Sequence, residues 1–384
     1  MKPGVIIIEG HVQGLSNTRS LGAAGIPVIV VDKGDCVARY SRYCTVFFRC
    51  PDYDTDALAD FLIRLAEARN LKDWLLFPSN DHAVLTLSRN KARLEAYFKI
   101  ITPGLNIIEN IYDKSRLLTL AQTIGVPIPD TFYAQDAAPA DVPPVFPVLT
   151  RGRFGLDFYK ATGRKAFLAH DKAELHQQLA LIARTFPVQK TLTQYLIPDD
   201  GTNKTISFAA FCVAGEIKAY WMGEKLREHP VRFGTATFAK SMYAEPCLTQ
   251  SKKLLKALDY TGVCEVEYLK DPRDGQYKLI EINARTWLWV GLAVACGINF
   301  PLYIYNHVHN IKTTYPATYE KNLYWRNFWT DMIYSMKYMI QGHLRYSDYR
   351  KSLRSKMVYA VRSKSDPTPF QKMLILLFLR WRSQ

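Results

Sequence analysis

Lys278-Leu279-Ile280-Glu281-Ile282-Asn283-Ala284-Arg285 is the stretch whose reading decides the fold. Strand side chains alternate, so Ile280, Ile282 and Ala284 point one way and Glu281, Asn283 and Arg285 the other. Upstream, Val263-Cys264-Glu265-Val266-Glu267-Tyr268 alternates in the same manner and puts Glu265 and Glu267 on one face. Between them, Lys270-Asp271-Pro272-Arg273-Asp274-Gly275-Gln276 has turn chemistry and predicts a hairpin. Folding it gathers three carboxylates, an amide and a guanidinium on one small surface. Like charges facing across strands are destabilising, so a cation is expected among them. Two sources are open: Arg285 and nearby lysines on a solvated face, or Mg²⁺ with a phosphate-bearing ligand, which an oxygen-rich set suits.

Outward from the hairpin, 384 residues give room for two or three domains, and 48% hydrophobic with 22% charged residues is ordinary for a globular protein. No apolar run approaches the ~20 residues of a membrane span. The opening strand Val5-Ile6-Ile7-Ile8 is too short for a signal sequence and no cleavage-like site follows. Seven cysteines without a CxxC pair read as reduced residues of a cytoplasmic protein. The net charge of +15 is uneven: residues 311–384 hold fourteen Lys/Arg against four Asp/Glu, a net of +10. No nucleic-acid motif surrounds these residues, so no nucleic-acid partner is expected. Attraction to an anionic membrane surface or an anionic substrate fits better.

The N-terminal pattern is strand, glycine-punctuated turn (Glu9-Gly10-His11-Val12-Gln13-Gly14), helix over about 15–24, and a second strand ending at Asp32. This βαβ opening predicts a parallel α/β domain. An NAD-linked oxidoreductase is disfavoured because Gly10 and Gly14 lack the dinucleotide spacing, although Asp32 falls about where the acid belongs. A strand at Trp74–Phe77 runs into Pro78-Ser79-Asn80-Asp81-His82. Polar loops at the carboxyl ends of parallel strands bind ligands, so Ser79, Asn80 and Asp81 are candidate substrate contacts. A helix N-cap explains Ser79 or Asp81 equally well, and His82 reads as structural. Further on, the sequence predicts strands near 146–150, 164–168 and 191–197, a polar helix at about 172–185, and a hairpin over 205–222 turning at Ala214-Gly215.

Several of these segments recur in one order: Asp113-Lys114, Pro147-Val148-Leu149-Thr150-Arg151, Gly163-Arg164-Lys165-Ala166, Thr193-Gln194-Tyr195-Leu196-Ile197-Pro198, Gly223-Glu224-Lys225-Leu226-Arg227, Gly262–Glu267 and Leu279–Arg285. Over residues 1–310 the chain resembles the ATP-grasp superfamily of ATP-dependent carboxylate–amine ligases, nearest the bacterial carboligase branch that includes D-aspartate ligase. The resemblance implies an α/β chain with an α+β grasp domain. A Rossmann-like pre-ATP-grasp domain at 1–110 precedes an ATP-grasp domain at 111–310, whose subdomains (about 111–190 and 191–310) clasp ATP. A basic, aromatic-rich C-terminal helical extension follows at 311–384.

It implies a reaction too: ATP phosphorylates a carboxylate, and an amine, with an amino acid the default partner, attacks the acyl phosphate. By the same resemblance, Glu267, Glu281 and Asn283 bind Mg²⁺ (or Mn²⁺), Glu281 also counting as part of the ATP site, while Glu265 lies outside the set. Arg285 and Arg227 serve as catalytic cations on the transferred phosphoryl group or the acceptor carboxylate. Lys114, Arg151 and Lys165 contact the ATP phosphates. Gln194, Tyr195 and Ile197 border the adenine, and Asp199 or Asp200 contacts the ribose. Arg151 departs from the family's usual lysine and the phosphate loop is poor in glycine. The alternative implied by those departures is an ATP-binding protein with weak or lost ligase activity. Beyond residue 366, the run Met373–Leu379 followed by Arg380-Trp381-Arg382 reads either as a helix packed on the core or as a segment lying in a membrane interface.

Overall fold

A computed structural model of the chain describes residues 2–133, 145–230 and 234–373. The apolar run beyond Met373, with Arg380–Arg382, lies outside the described residues, as does most of the proline-rich stretch between 127 and 147.

Five short strands open the chain: β1 (Val5–Ile8), β2 (Val28–Asp32), β3 (Val46–Arg49), β4 (Trp74–Pro78) and β5 (Phe98–Ile100). They pair in parallel in the order β3-β2-β1-β4-β5. β1 is apolar throughout because the centre of a parallel sheet is buried on both faces. Ile8 lies in register with Val31 on one side and Pro78 on the other. Glu9 and Ser79, just past their strands, and Asp32, the last residue of β2, therefore converge. The helix Val12–Ala23 starts so close to β1 that a side chain at Gly14 would meet the Glu9 carbonyl at 2.1 Å.

The second sheet is antiparallel, with strands β6 (Thr131–Tyr133), β7 (Val148–Gly152), β8 (Phe167–Ala169) and β9 (Thr191–Tyr195) in the order β6-β9-β7-β8. Its two faces differ. Val148, Ala169 and Tyr195 pack with Leu175 of the helix Lys172–Ile182, and Phe167 packs on Phe158 of the helix Gly155–Thr162. Both helices thus cover one face. The register Leu149↔Gln194 and Arg151↔Leu192 puts those four residues on the opposite face.

The third sheet has seven strands: β10 (Thr205–Val213), β11 (Glu216–His229), β12 (Thr235–Ser241), β13 (Gly262–Lys270), β14 (Tyr277–Asn283), β15 (Tyr324–Arg326) and β16 (Met357–Tyr359), ordered β14-β13-β10-β11-β12-β15-β16. The hairpin β10–β11 turns at Ala214-Gly215, both at positive φ (+49° and +74°), as a two-residue hairpin requires. β13 and β14 form the hairpin that alternation predicts.

The segment after residue 310 contributes more than helices. It supplies β15 and β16, which continue the sheet beyond β12, and the helices Phe328–Ile340 and Tyr346–Ser352. It then returns to the first domain, where buried Asp366 accepts from Arg19 Nε (2.9 Å), Ser41 Oγ (2.7 Å) and the Arg42 amide (2.9 Å). One continuous apolar cluster runs from Val5 and Ile7 through Trp221, Trp287 and Phe300 to Val361. First domain, third sheet and extension are therefore cemented together, whereas the second sheet has its own small cores. Among the described residues no helix is long and apolar enough to cross a membrane, and all seven cysteines are free.

Candidate active site

The site lies where the free face of the second sheet meets the β13–β14 end of the third. Glu267 stands directly opposite Glu281, and Glu265 opposite Asn283. Neighbouring carboxylates of this kind need cations, and both acids have one. Lys225 Nζ, reaching from β11, lies 2.8 Å from Glu267 Oε1. Lys114 Nζ, at the start of the helix Lys114–Thr123, lies 3.4 Å from Glu281 Oε2. Arg151 crosses from the second sheet to donate to the Ile280 carbonyl at 3.3 Å. Burial raises the Glu281 carboxyl, but Lys114, Arg151, Lys225 and Lys165 outweigh it and hold it at about 2. Burial depresses Lys114 and Arg151 even with that acid beside them. Burial also opposes the Lys225 charge, yet Glu267 and Glu265 push its pKa above the ordinary lysine range.

Glu265 is buried, accepts from Ser207 Oγ at 2.6 Å and from Asn283 Nδ2 at 3.1 Å, and is raised to about 7 by burial and then by Glu267. Its effect on Asn283 is positional: with Nδ2 donating to Glu265, the amide oxygen is turned outward. Arg285 follows on the same face, 3.4 Å from Asn283 Oδ1 and 2.9 Å from Asp81 Oδ2 of the first domain. Burial disfavours its charge, but Asp81 holds it firmly protonated. The hairpin is thereby joined to the loop after β4.

That loop sorts the three substrate candidates. Ser79 is wholly buried, its carbonyl taken by Gln13 Nε2 at 2.8 Å. Asn80 is the N-cap of the helix Asp81–Arg89, accepting from the Ala83 amide at 2.8 Å, so the cap is neither Ser79 nor Asp81. Asp81 alone of the three meets the Arg285 group directly, and Tyr112 donates to it at 3.1 Å.

On the second sheet Gln194 is buried and donates to Thr131 Oγ1 at 2.8 Å. It shares the Arg151 face, while Tyr195 points to the other and packs edge-on against Phe132. The Tyr195 ring is therefore turned from the cleft, and its amide donates to the Asp130 carbonyl at 3.1 Å. Ile197 is buried just beyond. Asp200 stands exposed in a turn, its Oδ1 accepting from the Thr202 and Asn203 amides and the Thr202 hydroxyl, bonds that lower its carboxyl.

Arg227 is not brought to this cluster. Register shifts flank it in β11, and its guanidinium forms two bonds with fully buried Asp331 (2.7 and 2.9 Å), one with Ser352 Oγ, and stacks 4.0 Å over Phe238. Arg326 binds the same Asp331 at 2.7 Å. The bulge breaks the alternation that would have aligned Arg227 with Lys225, and its guanidinium is engaged in anchoring the extension.

Lys225, which the resemblance implies binds the acceptor carboxylate or the γ-phosphate alongside Arg227, meets Glu267 because β10 alone lies between their strands. The group that the sequence reading misses is Glu9. Glu9 was read as part of a turn. It sits at φ +74°, half-buried at the end of β1, and its carboxyl is pushed up to about 7 by burial and then by Asp32, against the opposing pull of Arg285 and Asn80. An acid immediately after a wholly apolar central strand was the signal.

Residues 232–298, from β12 to beyond Arg285, match the family model described as "carbamoyl-phosphate synthase L chain, ATP binding domain". D-aspartate ligase of Enterococcus faecium (strain Aus0004) is 25% identical over 296 residues, 72% of this chain and 70% of the relative. Among solved structures, N5-carboxyaminoimidazole synthetase from Staphylococcus aureus superposes with a TM-score of 0.68 at 15% identity, covering 89% of this chain and 87% of that one. L-amino acid ligase from Bacillus licheniformis gives 0.59 at 15% identity, over 80% and 74%. In its fold and its ordered signatures the chain is similar to ATP-grasp carboxylate–amine ligases, with the ATP-binding family match lying on residues 232–298.

Proposed function

We propose that the protein joins a carboxylate to an amine through an acyl phosphate: the carboxylate takes the γ-phosphoryl group of ATP, releasing ADP, and the amine then displaces phosphate to form an amide. The observation that carries this is the set of cations about the two acids: Lys114 and, from across the cleft, Arg151 beside Glu281, with Lys225 of the same sheet against Glu267. Phosphoryl transfer leans on cations placed where charge shifts toward the leaving group. Lys114, Arg151 and Lys165 supply them, and Gln194 with the Tyr195–Ile197 backbone borders the base. Asp200, in the adjoining turn, is the candidate for the ribose.

The donor set fits a divalent metal as well. Two opposed carboxylates and an amide oxygen turned outward leave positions for phosphate oxygens, the arrangement Mg²⁺ prefers to an all-protein cage. Glu267, Glu281 and Asn283 would hold it, and bound there it would neutralise the triphosphate.

Arg285, joined to Asp81, faces the acceptor side, where its fork suits a carboxylate or the acyl phosphate. An amine must lose a proton to attack, and Glu9, with its carboxyl near 7, is the group placed to accept it. Glu9→Gln is expected to slow amide formation by roughly 10²-fold while carboxylate-dependent acyl phosphate, trapped with hydroxylamine, still forms. A second readout separates proton transfer from damage. The raised pKa is an acid's, so its stabilising contribution is complete below the unfolded value of 4.5 and fades as pH rises through 7. Glu9→Gln should therefore be more stable than the wild type at pH 8, by about 2 kcal/mol, and equal to it near pH 4. Unchanged stability at pH 8 would remove Glu9 from the reading.

The direct test is ADP release in a matrix of carboxylates crossed with amines, led by amino acids. Turnover requiring both partners is expected. Tight Mg-ATP binding with no pair giving turnover would favour the alternative of an ATP-binding protein without ligation, to which Arg151 in place of the usual lysine points.

A further inference from the structure

The helix Phe328–Ile340 is inverted. Its fully buried positions are polar, Asp331 and Ser335, whereas Ile333, Met336 and Ile340 stand 52%, 53% and 86% exposed. An amphipathic helix on a globular surface shows the opposite arrangement. The inward polarity has a cause, because Asp331 must meet Arg227 and Arg326. Among the described residues the outward apolar side chains have no such cause. At positions i, i+3 and i+7 they form one stripe, about 10 Å long at 1.5 Å per residue.

The surroundings of that stripe are basic. Residues 328–356 hold six Lys/Arg and two Asp/Glu, and one of those acids, Asp331, is already taken by two arginines. Lys337 is exposed on the helix itself, and Arg345, Arg350, Lys351 and Arg354 are exposed on the helix and turn that follow. Tyr346 (66% exposed) and Leu353 (41%) add apolar surface beside those charges.

We propose that this face docks on an anionic membrane surface, the stripe entering the headgroup boundary and the cations meeting lipid phosphates. Apolar residues ringed by Lys and Arg are the pattern of an interfacial helix, and each cation near such a surface adds attraction. A second copy is a poorer occupant: a two-fold contact sets the same patch against itself, and basic rim would face basic rim. The inference stands apart from the ligase reading. The residues named are remote in role from the nucleotide cleft, and no step of the reaction needs them.

The test is flotation of the full chain with vesicles of phosphatidylglycerol and phosphatidylcholine, against phosphatidylcholine alone. Binding to the anionic vesicles is expected, at least tenfold weaker on the zwitterionic ones and in high salt. The double variant Ile333→Glu/Ile340→Glu should lose at least tenfold in binding with its melting temperature and ATP binding unchanged. Lys351→Glu/Arg354→Glu should weaken binding less and flatten its salt dependence. Absence of wild-type binding would overturn the proposal, as would equal binding by the Ile333/Ile340 variant. A chain ending at residue 373 that alone loses binding would assign the membrane to the segment beyond. Conversion of a dimer to a monomer by the double variant, without vesicle binding, would assign the face to a second copy.

Discussion

Glu281→Ala is expected to lower ADP formation by at least about 10³-fold, some 4 kcal/mol of transition-state stabilisation. The carboxylate sits where three kinds of partner meet: Glu267 directly opposite, Lys114 at 3.4 Å, and Arg151 from the second sheet. Removing it strips the proposed metal set of one ligand and also leaves two buried cations without their acid. The second loss acts on stability, and because the carboxylate is 34% exposed it should cost about 1 kcal/mol, below the figure for a fully buried pair. Glu281→Gln separates the two effects, since it keeps the volume and an oxygen while removing the charge. Coupled-assay turnover and thermal melts on both variants would be compared. If Glu281→Gln kept wild-type turnover, the assignment of the metal end of the nucleotide would fall. The pH dependence has a fixed sign: a carboxyl held at about 2 contributes stability above the unfolded value of 4.5 and loses it as pH falls toward 2. Neither variant should show that acid-limb loss.

Asp331→Ala should be the most destabilising single change outside the cleft. The carboxylate is fully buried and satisfies Arg227 and Arg326 together, with Thr237 Oγ1 at 3.3 Å. Two guanidinium groups would be left without an anion, a loss of about 3–5 kcal/mol. At a few degrees per kcal/mol in a chain of this size, the melting temperature should fall by roughly 10 °C. Turnover per folded molecule should change little, which is the informative half. If Asp331→Ala instead left the melt in place and cut turnover, Arg227 would be acting in catalysis and the extension would be tuning it. Arg227→Met supplies the converse, since a neutral side chain of similar length should retain much of the stability that Asp331→Ala forfeits.

Legibility in the sequence followed the range of the interaction. Alternation within β13 and β14 is local, so the shared face of Glu267, Glu281 and Asn283 could be read directly and the register agrees. The parallel opening was legible for the same reason, because an unbroken apolar strand is itself a signature of burial on both faces. Pairings that cross strands were not. Lys225 meets Glu267 only because β10 lies between their strands. Arg227 is set out of line with Lys225 by a bulge that no residue type announces. Glu9 acquires its character from burial and then from Asp32, with Arg285, hundreds of residues away, pulling the other way. The inverted helix was hidden as well: its hydrophobic content suggests a core element, and only the demand for Asp331 on the inside turns it over.

The two late strands impose an order on biosynthesis. Until residues 324–326 have left the ribosome, β12 ends the sheet with an open row of backbone donors and acceptors. Arg227 has no buried anion to meet until Asp331 follows, and the first domain lacks its clasp until Asp366 arrives. Most of the cleft is encoded before residue 286, yet the frame that steadies it is translated last. A nascent chain of this protein therefore carries its nucleotide-facing residues for about forty further codons beside an unprotected edge, and for about eighty without the Asp366 clasp. Chaperone occupancy, if mapped along the emerging chain, should be greatest over that interval and fall as Asp366 becomes available.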